Sequence, residues 1–194
     1  MESIELRRFE RSQAGDLADF LSGEMWPYHS VPRLTVGCVL RQVADSYYDN
    51  SSTRTLWVTA GERRVGVVRL FDLDDDTPLF DLRITENDRH RGIGTRALRA
   101  LTAYLFTELP AITRVEATTR HDNVAMRRAL RRCGYVKEAH HRNAWPCDAG
   151  TPLDAVGYAI LRGDWAGGTV TAVDFDDEDG FNAAFAASAG SAGN

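Results

Sequence analysis

The sequence predicts an α/β fold with a mixed, largely antiparallel central sheet of six to seven strands flanked by about four helices. Segments with strand-type alternation are interleaved with segments of helical spacing, in the order β α α β β β α β α β β. A short glycine turn joins two β-rich segments in the manner of a hairpin. Farther along, a strand, a long helix and another strand follow one another, which is typical of a β-α-β crossover.

The first third of the chain predicts one strand, two helices and an aromatic loop. Residues 4–9 alternate apolar and polar side chains, and Ser12 is expected to cap a helix that runs to residue 21. Residues 22–33 contain glycine, two prolines and several aromatic side chains, which indicates a loop. Apolar residues at helical spacing then predict a helix over residues 34–48.

The rest of the chain predicts most of the sheet and two further helices. The expected helices cover residues 91–108 and 123–133, the second stopped by Gly134. The expected strands cover residues 55–59, 64–71, 79–85, 112–118, 135–144 and 155–161.

Charge is distributed unevenly along the 194 residues. The net charge is −5, but no Lys or Arg follows residue 163, so residues 1–163 carry a net charge of +1. A neutral body argues against a nucleic-acid-binding protein, which would carry a basic excess. We therefore expect one domain over residues 1–165 and an acidic, Gly/Ala/Ser-rich, disordered tail over residues 166–194, with Phe175, Phe181 and Phe185 available for weak docking.

Nothing in the composition indicates a membrane or secreted protein. No apolar run approaches the roughly 20 residues of a membrane-spanning helix, and the N-terminal segment has no apolar core of a signal peptide. Cys38, Cys133 and Cys147 are far apart and form no CxxC pair, which favours reduced thiols over a disulfide or zinc site. We expect a cytoplasmic protein without membrane partners.

The most informative segment is Arg-His-Arg-Gly-Ile-Gly-Thr at residues 89–95, between a predicted strand and a predicted helix. Gly92 and Gly94 lack the Cβ atoms that would keep a ligand away from the backbone. Backbone N–H groups at a helix N-terminus bind anions, and Arg89 and Arg91 add positive charge. The segment therefore predicts a pyrophosphate site.

The same turn also allows a second interpretation, a dinucleotide-binding site. Residues 92–97 also fit the dinucleotide fingerprint G-x-G-x-x-A, and Glu116 lies where a ribose-binding acid would be expected. However, the polar residues 86–91 separate the glycines from the strand, and too little chain follows for a doubly wound sheet. An NAD(P)-binding protein is therefore the weaker alternative.

Three motifs in order resemble the GNAT acetyltransferase superfamily, in particular its RimJ/RimL-like branch. Arg89-x-x-Gly92-x-Gly94 resembles the family's acyl-CoA pyrophosphate motif. Asn123 opens a helix, and Gly134 and Tyr135 follow at eleven and twelve residues, as in the second family block. The ending at residues 157–165 resembles the branch's last strand, so the resemblance covers roughly residues 3–165.

The resemblance implies an acetyl-CoA-dependent N-acetyltransferase in which acetyl-CoA is the acyl donor and no metal takes part. The pantetheine arm would lie along the strand that ends at Ile84, adding amide bonds like an extra strand. The resemblance implies cofactor-binding roles for Leu82, Arg83, Ile84, Arg89, His90, Arg91, Gly92, Ile93, Gly94, Thr95, Asn123 and Met126.

The catalytic groups are less defined. Candidate bases for deprotonating the acceptor amine are Asp81, Glu116 and Glu24, followed by His29 and His121. Many relatives carry a Tyr seven residues after the Asn as an acid for the thiolate, and the RimL-like branch often has a Ser three residues after it. This chain has Leu130 and Met126 at those positions, so the acid stays unassigned. Adjacent His140 and His141 point to opposite strand faces, which argues against a metal pair.

The acceptor is expected between the loops at residues 22–33 and 145–153, and it is a primary amine, either a protein N-terminus or a small molecule. Trp26, Tyr28, Tyr47 and Tyr48 are candidates for a cation-binding wall, with core packing as the alternative. A homodimer is common in the family. A non-catalytic acetyl-CoA-binding sensor or interaction module is a further alternative, because the family Tyr and Ser are missing.

Overall fold

The computed structural model describes residues 2–146 and 150–174, and this part contains seven strands and five α-helices. The predicted order of elements is confirmed, with one short helix added at the end. The strands are β1 Ile4–Arg8, β2 Arg54–Ala60, β3 Arg63–Phe71, β4 Leu79–Ile84, β5 Arg114–Arg120, β6 Val136–Trp145 and β7 Leu153–Leu161. The helices are α1 Ala14–Ser22, α2 Val36–Ala44, α3 Ile93–Glu108, α4 Val124–Arg132 and α5 Arg162–Gly167.

All seven strands form one sheet in the order β1-β2-β3-β4-β5-β7-β6. Every neighbouring pair is antiparallel except β4 and β5, which run parallel and are connected by α3. This confirms the predicted mixed, largely antiparallel sheet with one β-α-β crossover. A single parallel pair is inconsistent with a doubly wound dinucleotide-binding sheet, so the NAD(P) alternative is wrong at the level of the fold.

Two hydrophobic cores lie on opposite faces of the sheet. One face packs against α3 and α4, where Leu98, Leu101 and Leu130 are fully buried. The other face packs against α1 and α2 around Leu17 and Trp57. Because side chains alternate between the faces of a strand, β4 contributes to both environments.

The first two helices differ from the prediction at their ends. A 3-10 turn at Arg11–Gln13 precedes α1, so Gln13 and not Ser12 is the N-cap of that helix. The turn is closed by a bond from the Glu10 N–H to the Gln13 amide oxygen. The second helix is shorter than residues 34–48, since the Thr35 hydroxyl accepts from the Cys38 N–H and so fixes its start.

Ordered structure continues beyond residue 165, where the tail was predicted to begin. The helix α5 ends at a left-handed Gly168 with φ of 64°, and the Asp164 carboxylate accepts hydrogen bonds from Thr169 and Thr171. The beginning of the predicted tail is therefore tied to α5, whereas Phe175, Phe181 and Phe185 lie outside the described residues. Across residues 2–146 and 150–174, no helix has the length and apolar character needed to cross a bilayer.

Candidate functional site

A split in the sheet between β4 and β5 forms the centre of the site. These two parallel strands pair only at Leu79 and Glu116, where the Glu116 N–H donates to the Pro78 carbonyl at 3.1 Å. Beyond this point each strand continues, paired on its outer edge with β3 or β7. The inner edges therefore diverge and leave backbone groups without a ladder partner.

The backbone of β4 presents alternate residues to this split. The Thr85 N–H donates to the Val65 carbonyl on β3, so by antiparallel alternation Leu82 and Ile84 direct their N–H and C=O groups away from β3. The Arg89 Nε atom donates to the Ile84 carbonyl at 2.9 Å, which agrees with that direction. An extended ligand entering the split would meet an open strand edge at Leu82.

A cleft of about 950 Å³ passes through the split and reaches both faces of the sheet. We call the part on the α3 and α4 side the cofactor face; its lining residues are His90, Gly92, Gly94, Thr95, Asn123, Met126, Arg128 and Arg132. We call the part on the α1 and α2 side the acceptor face; its lining residues include Trp26, Tyr28, His29, Tyr47, Tyr48, Arg69, Asp81 and Arg83. One cleft thus connects two chemically different surfaces.

The glycine turn forms the rim of the cofactor face. Gly92 is the N-cap of α3 with φ of 75°, a left-handed conformation that favours glycine. A Cβ at Gly92 would meet no atom within 4 Å, and at Gly94 it would meet only Ile84 Cγ1 at 3.9 Å. The first N–H groups of a helix have no hydrogen-bond partner within the helix. At the start of α3 these donors therefore face open space. This is the geometry of an anion cradle.

A buried carboxylate holds the turn in place. Asp88 is 3% exposed and accepts from the Thr85 hydroxyl at 2.8 Å, from Arg63 at 3.2 Å and from Arg91 at 3.3 Å. Burial alone would raise the pKa of Asp88, but the hydrogen bonds from Arg63 and Thr85 outweigh it and lower that pKa. Arg91 therefore supports the turn through Asp88, and it does not line the cleft.

Arg89 and Glu24 form a second support. The Arg89 Nη2 atom lies 3.4 Å from both Glu24 Oε2 and the Met25 carbonyl oxygen. Glu24 Oε2 also accepts from the Glu86 N–H at 2.8 Å. These bonds join the loop after α1 to the turn after β4. Glu24 does not line the cleft, which argues against its predicted role as a base.

The start of α4 completes the cofactor face. The Asn123 side chain caps α4 by accepting from the Met126 N–H at 3.2 Å, and it donates to Thr119 at 3.1 Å. Arg128 and Arg132 lie one helical turn apart and line the same cleft. The sequence analysis missed these two arginines, although the run of arginines at residues 127–132 contains their i, i+4 spacing. Leu130, at the position of the family Tyr, is fully buried.

Most of the predicted cofactor-binding residues line the cleft. Two do not: Arg91 bonds to Asp88, and Ile93 is buried in the core against the sheet. Arg83 lines it on the acceptor face, because odd-numbered residues of β4 point away from α3. The predicted residues that line the cleft are Leu82, Arg83, Ile84, Arg89, His90, Gly92, Gly94, Thr95, Asn123 and Met126.

Asp81 and His29 form a contact at the centre of the acceptor face. His29 Nδ1 lies 3.2 Å from Asp81 Oδ1, and Arg83 donates two bonds to Asp81 Oδ2 at 2.8 and 3.2 Å. Burial, with help from Arg83 and Arg89, lowers the pKa of His29 to about 4 even though Asp81 opposes the shift. Burial would raise the pKa of Asp81, but His29 and Arg83 hold it below its ordinary value. At neutral pH the pair is therefore a carboxylate beside an uncharged imidazole.

Glu116 and the remaining histidines lie outside this arrangement. Arg114 bonds to both Glu116 and Glu138, and Glu116 does not line the cleft, which argues against its predicted roles as base or ribose ligand. His140 Nε2 lies 2.7 Å from Asp154 Oδ2 on the outer strands. Within residues 2–146 and 150–174, no group of three or more His, Cys, Asp or Glu side chains is arranged to hold a metal ion.

The loop between α1 and α2 roofs the split. On one side Glu24 bonds to the turn after β4, and on the other Arg120 of β5 donates to the Pro27 carbonyl at 2.9 Å. Trp26 is anchored below by a bond from its indole N–H to the Leu21 carbonyl at 2.8 Å. The predicted wall of four aromatic rings does line the cleft, with Trp26 and Tyr48 also buried in the core.

Comparison with known proteins gives a family and a fold. The model of the acetyltransferase (GNAT) domain family matches residues 3–136. Spermidine N-acetyltransferase from Vibrio cholerae, solved with CoA and spermine, superposes with a TM-score of 0.73 at 18% identity over 84% of this chain and 98% of that one. A dodecameric structure of the Vibrio cholerae enzyme gives a TM-score of 0.68 at 18% identity over 84% of this chain and 96% of that one.

The protein N-terminal acetyltransferase RimL, which acts on ribosomal L7/L12 and was solved with CoA, superposes with a TM-score of 0.72 at 18% identity over 82% of this chain and 94% of that one. Proteins of curated function gave no sequence match. At these identities the solved structures establish the fold alone, whereas the family model covers more than half of the chain. The protein belongs to the GNAT family of acetyltransferase enzymes.

Proposed function

We propose that the protein transfers an acetyl group from acetyl-CoA directly to a primary amine, either a protein N-terminus or a small molecule. The observation that carries the proposal is the split between β4 and β5, which joins an anion cradle on one face of the sheet to a polar pocket on the other. Acetyl-CoA lying in the split would have its phosphate groups at the anion cradle and its acetyl thioester at the polar pocket. The implied homodimer stays a prediction.

The fit to acetyl-CoA rests on backbone groups and arginines. The N–H and C=O groups of Leu82 and the N–H of Ile84, which point away from β3, would match the amides of a pantetheine arm laid along β4 as an extra strand. The N–H groups at the start of α3 would bind the pyrophosphate, with Gly92 and Gly94 allowing close approach. Arg128 and Arg132 would add charge-assisted bonds to the phosphate groups.

The chemistry requires an unprotonated amine and a donor for the oxyanion. An alkylammonium has a pKa of about 10 and cannot attack until it loses its proton. The N–H of Leu82 points away from β3, and it would stabilise the oxygen of the thioester carbonyl as it becomes negative. As the C–N bond forms and the C–S bond breaks, the nitrogen loses its proton and the thiolate gains one from solvent.

His29 and Asp81 are the groups that we assign to this proton transfer. Asp81 is the one of the three predicted carboxylate bases that lines the cleft, but Arg83 already occupies one of its oxygens. Asp81 Oδ1 has no hydrogen-bond partner in the described part of the chain and lies 3.2 Å from His29 Nδ1, so a reorientation of the imidazole would let Nδ1–H donate to it. That tautomer would leave the lone pair of Nε2 to accept the amine proton. Because the pKa of His29 lies at about 4, the acceptor has to enter as the free amine. His29 is then the base that takes the proton of the attacking nitrogen as the C–N bond forms, and Asp81 is its positioning residue.

The test of the proposed function is the release of CoA from acetyl-CoA in the presence of a panel of amines: N-terminal peptides, free amino acids, polyamines and aminosugars. The proposal expects release that depends on at least one amine, with a mass increase of that amine by one acetyl group. Binding of acetyl-CoA without turnover of any acceptor would favour the sensor alternative. Absence of acetyl-CoA binding would contradict the cofactor site itself.

A further inference from the structure

Negative charge on the acceptor face is confined, among the described residues, to a single carboxylate that lies beside an arginine. Asp81 is the one carboxylate that lines the cleft within residues 2–146 and 150–174. Its Oδ2 accepts two bonds from Arg83, and its Oδ1 lies beside His29 at 3.2 Å. Oδ1 itself has no hydrogen-bond partner among the described residues, so it could accept from one ammonium group. The further ammonium groups of a polycationic acceptor would find no other carboxylate in this part of the cleft lining, and they would lie beside the guanidinium groups of Arg69 and Arg83.

The aromatic wall is likewise occupied by the chain's own cations. The Arg69 guanidinium lies 3.7 Å from the centre of the Tyr47 ring, and Arg83 lies 5.5 Å from that of Trp26. Cation–π attraction is satisfied when a guanidinium covers a ring face. Tyr47 and Trp26 therefore already have a guanidinium of the protein near the ring, which leaves less of their surface for an acceptor cation.

Positive charge exceeds negative charge on this surface. Arg69 bonds to the backbone carbonyl and hydroxyl of Tyr47 at 3.1 and 2.9 Å. Asp81 lies opposite Arg69 on β4, but its close contacts are with His29 and Arg83, so one carboxylate faces two guanidinium groups here. The Nη1 atom of Arg83 is buried and has no hydrogen-bond partner in the same part of the chain. A buried donor of a charged group that lacks an acceptor is costly, and an oxygen anion supplied by a ligand would remove that cost.

From this surface we infer that the acceptor is an amine with a carboxylate a few bonds away, such as a free acidic amino acid or a peptide with an acidic residue next to its N-terminus, and that polyamines are poor acceptors. The carboxylate pairs with Arg69 and Arg83 while the amine faces His29. The inference rests on the proposed transferase function and specifies its substrate class. The shared fold does not decide this point, because its relatives act on acceptors as different as spermidine and a protein N-terminus.

The test compares acceptors that differ in charge alone. Peptides beginning Ser-Asp, Ser-Asn and Ser-Lys, free aspartate and spermidine are each titrated at fixed acetyl-CoA, and kcat/KM is measured at low and high salt. We expect the Ser-Asp peptide or free aspartate to exceed the Ser-Lys peptide and spermidine by at least tenfold, with the preference shrinking as salt screens the charges. Comparison of the peptide with the free amino acid identifies which of the two sources is used.

A pair of variants assigns the preference to the acceptor face. Arg69→Met should reduce the preference for the acidic acceptor at least fivefold without changing the affinity for acetyl-CoA. Arg64→Met is the matched control, because Arg64 also lies on β3 over an aromatic ring, Trp57 at 4.4 Å, but outside the cleft. It should keep the preference.

Equal or better turnover of spermidine or the Ser-Lys peptide would overturn the inference while leaving the transferase function intact. An unchanged preference in Arg69→Met would also overturn it. If no amine is acetylated although acetyl-CoA binds, the transferase function fails and the inference fails with it.

Discussion

The two faces of the cleft are built in different ways. The cofactor face is made by local backbone geometry. Gly92 takes a left-handed conformation, and the Asn123 side chain caps α4 by accepting from the N–H of Met126, three residues later. The acceptor face is made by side chains that meet across long stretches of sequence, as His29 meets Asp81. A local design is encoded in short motifs and can be shared across a family, whereas a long-range one can vary between members that keep the same fold.

The largest expected effect concerns the local design. Gly92→Glu should weaken acetyl-CoA binding at least 100-fold, because it adds strain at φ of 75° and a negative charge where phosphates would bind. Calorimetric titration measures the affinity. The matched control is Gly168→Glu, which shares a left-handed φ of 64° and open space around the Cβ but lies outside the cleft. Equal losses in both variants would attribute the effect to unfolding and contradict the pyrophosphate site.

The next prediction concerns His29 on the acceptor face and its effect on kcat. His29→Gln should lower kcat about 100-fold, within the usual contribution of a general base, and leave the affinity for acetyl-CoA unchanged. Because the pKa of His29 lies at about 4, the wild-type rate should show no His29 titration between pH 6 and 9. The residual rate of the variant should rise with pH across that range as hydroxide takes over the proton.

Asp81→Asn is the companion variant and should give a smaller loss of kcat, because it removes the group that orients His29 and not the base. An acceptor KM that rises while kcat stays constant in His29→Gln would indicate a packing role. That result would contradict the assignment of the base.

A third prediction concerns the stability of the turn itself. Asp88→Asn should lower the free energy of unfolding by about 1–3 kcal/mol, because it removes a charged acceptor from buried hydrogen bonds. The pKa of Asp88 is depressed in the folded protein, so its contribution is complete above its unfolded pKa of about 4 and is lost as pH falls through the folded pKa. Urea unfolding at pH 7 and pH 3 should therefore show a difference between wild type and variant that shrinks at the lower pH. A constant difference would contradict this account of the anchor.

The smallest effect concerns the arginines on α4. The double variant Arg128→Ala/Arg132→Ala should raise the KM for acetyl-CoA about tenfold, equivalent to about 1.4 kcal/mol, with a weaker salt dependence than in the wild type. Arg131→Ala is the control, because Arg131 is exposed on the same helix but does not line the cleft. Equal effects of the control and the double variant would show that net charge, and not position, sets the affinity.

The sequence predicts the cofactor face well because its signals are local. A glycine pair before a helix and an Asn that caps the following one depend on a few neighbouring residues, and the order of strands and helices follows from hydrophobic periodicity. The predicted ends of the helices were less accurate. The N-cap of α1 is Gln13 and not Ser12, because a 3-10 turn with its own side-chain bond occupies the residues where the helix was expected to begin.

The acceptor face could not be predicted in the same way. Glu24, Asp81 and Glu116 look alike in the sequence, but their partners separate them: Glu24 supports the turn, Glu116 pairs with Arg114, and Asp81 alone lines the cleft. Each partner lies on another element or on a specific side of a strand, so the register of the whole sheet decides which carboxylate reaches the site.

Binding of acetyl-CoA in the split between β4 and β5 is measured by calorimetric titration of the purified protein with acetyl-CoA, with NAD as the control ligand. We expect micromolar binding of acetyl-CoA and none of NAD, with the acetyl-CoA signal lost in Gly92→Glu. Absence of acetyl-CoA binding, or binding of NAD in its place, would contradict this binding site.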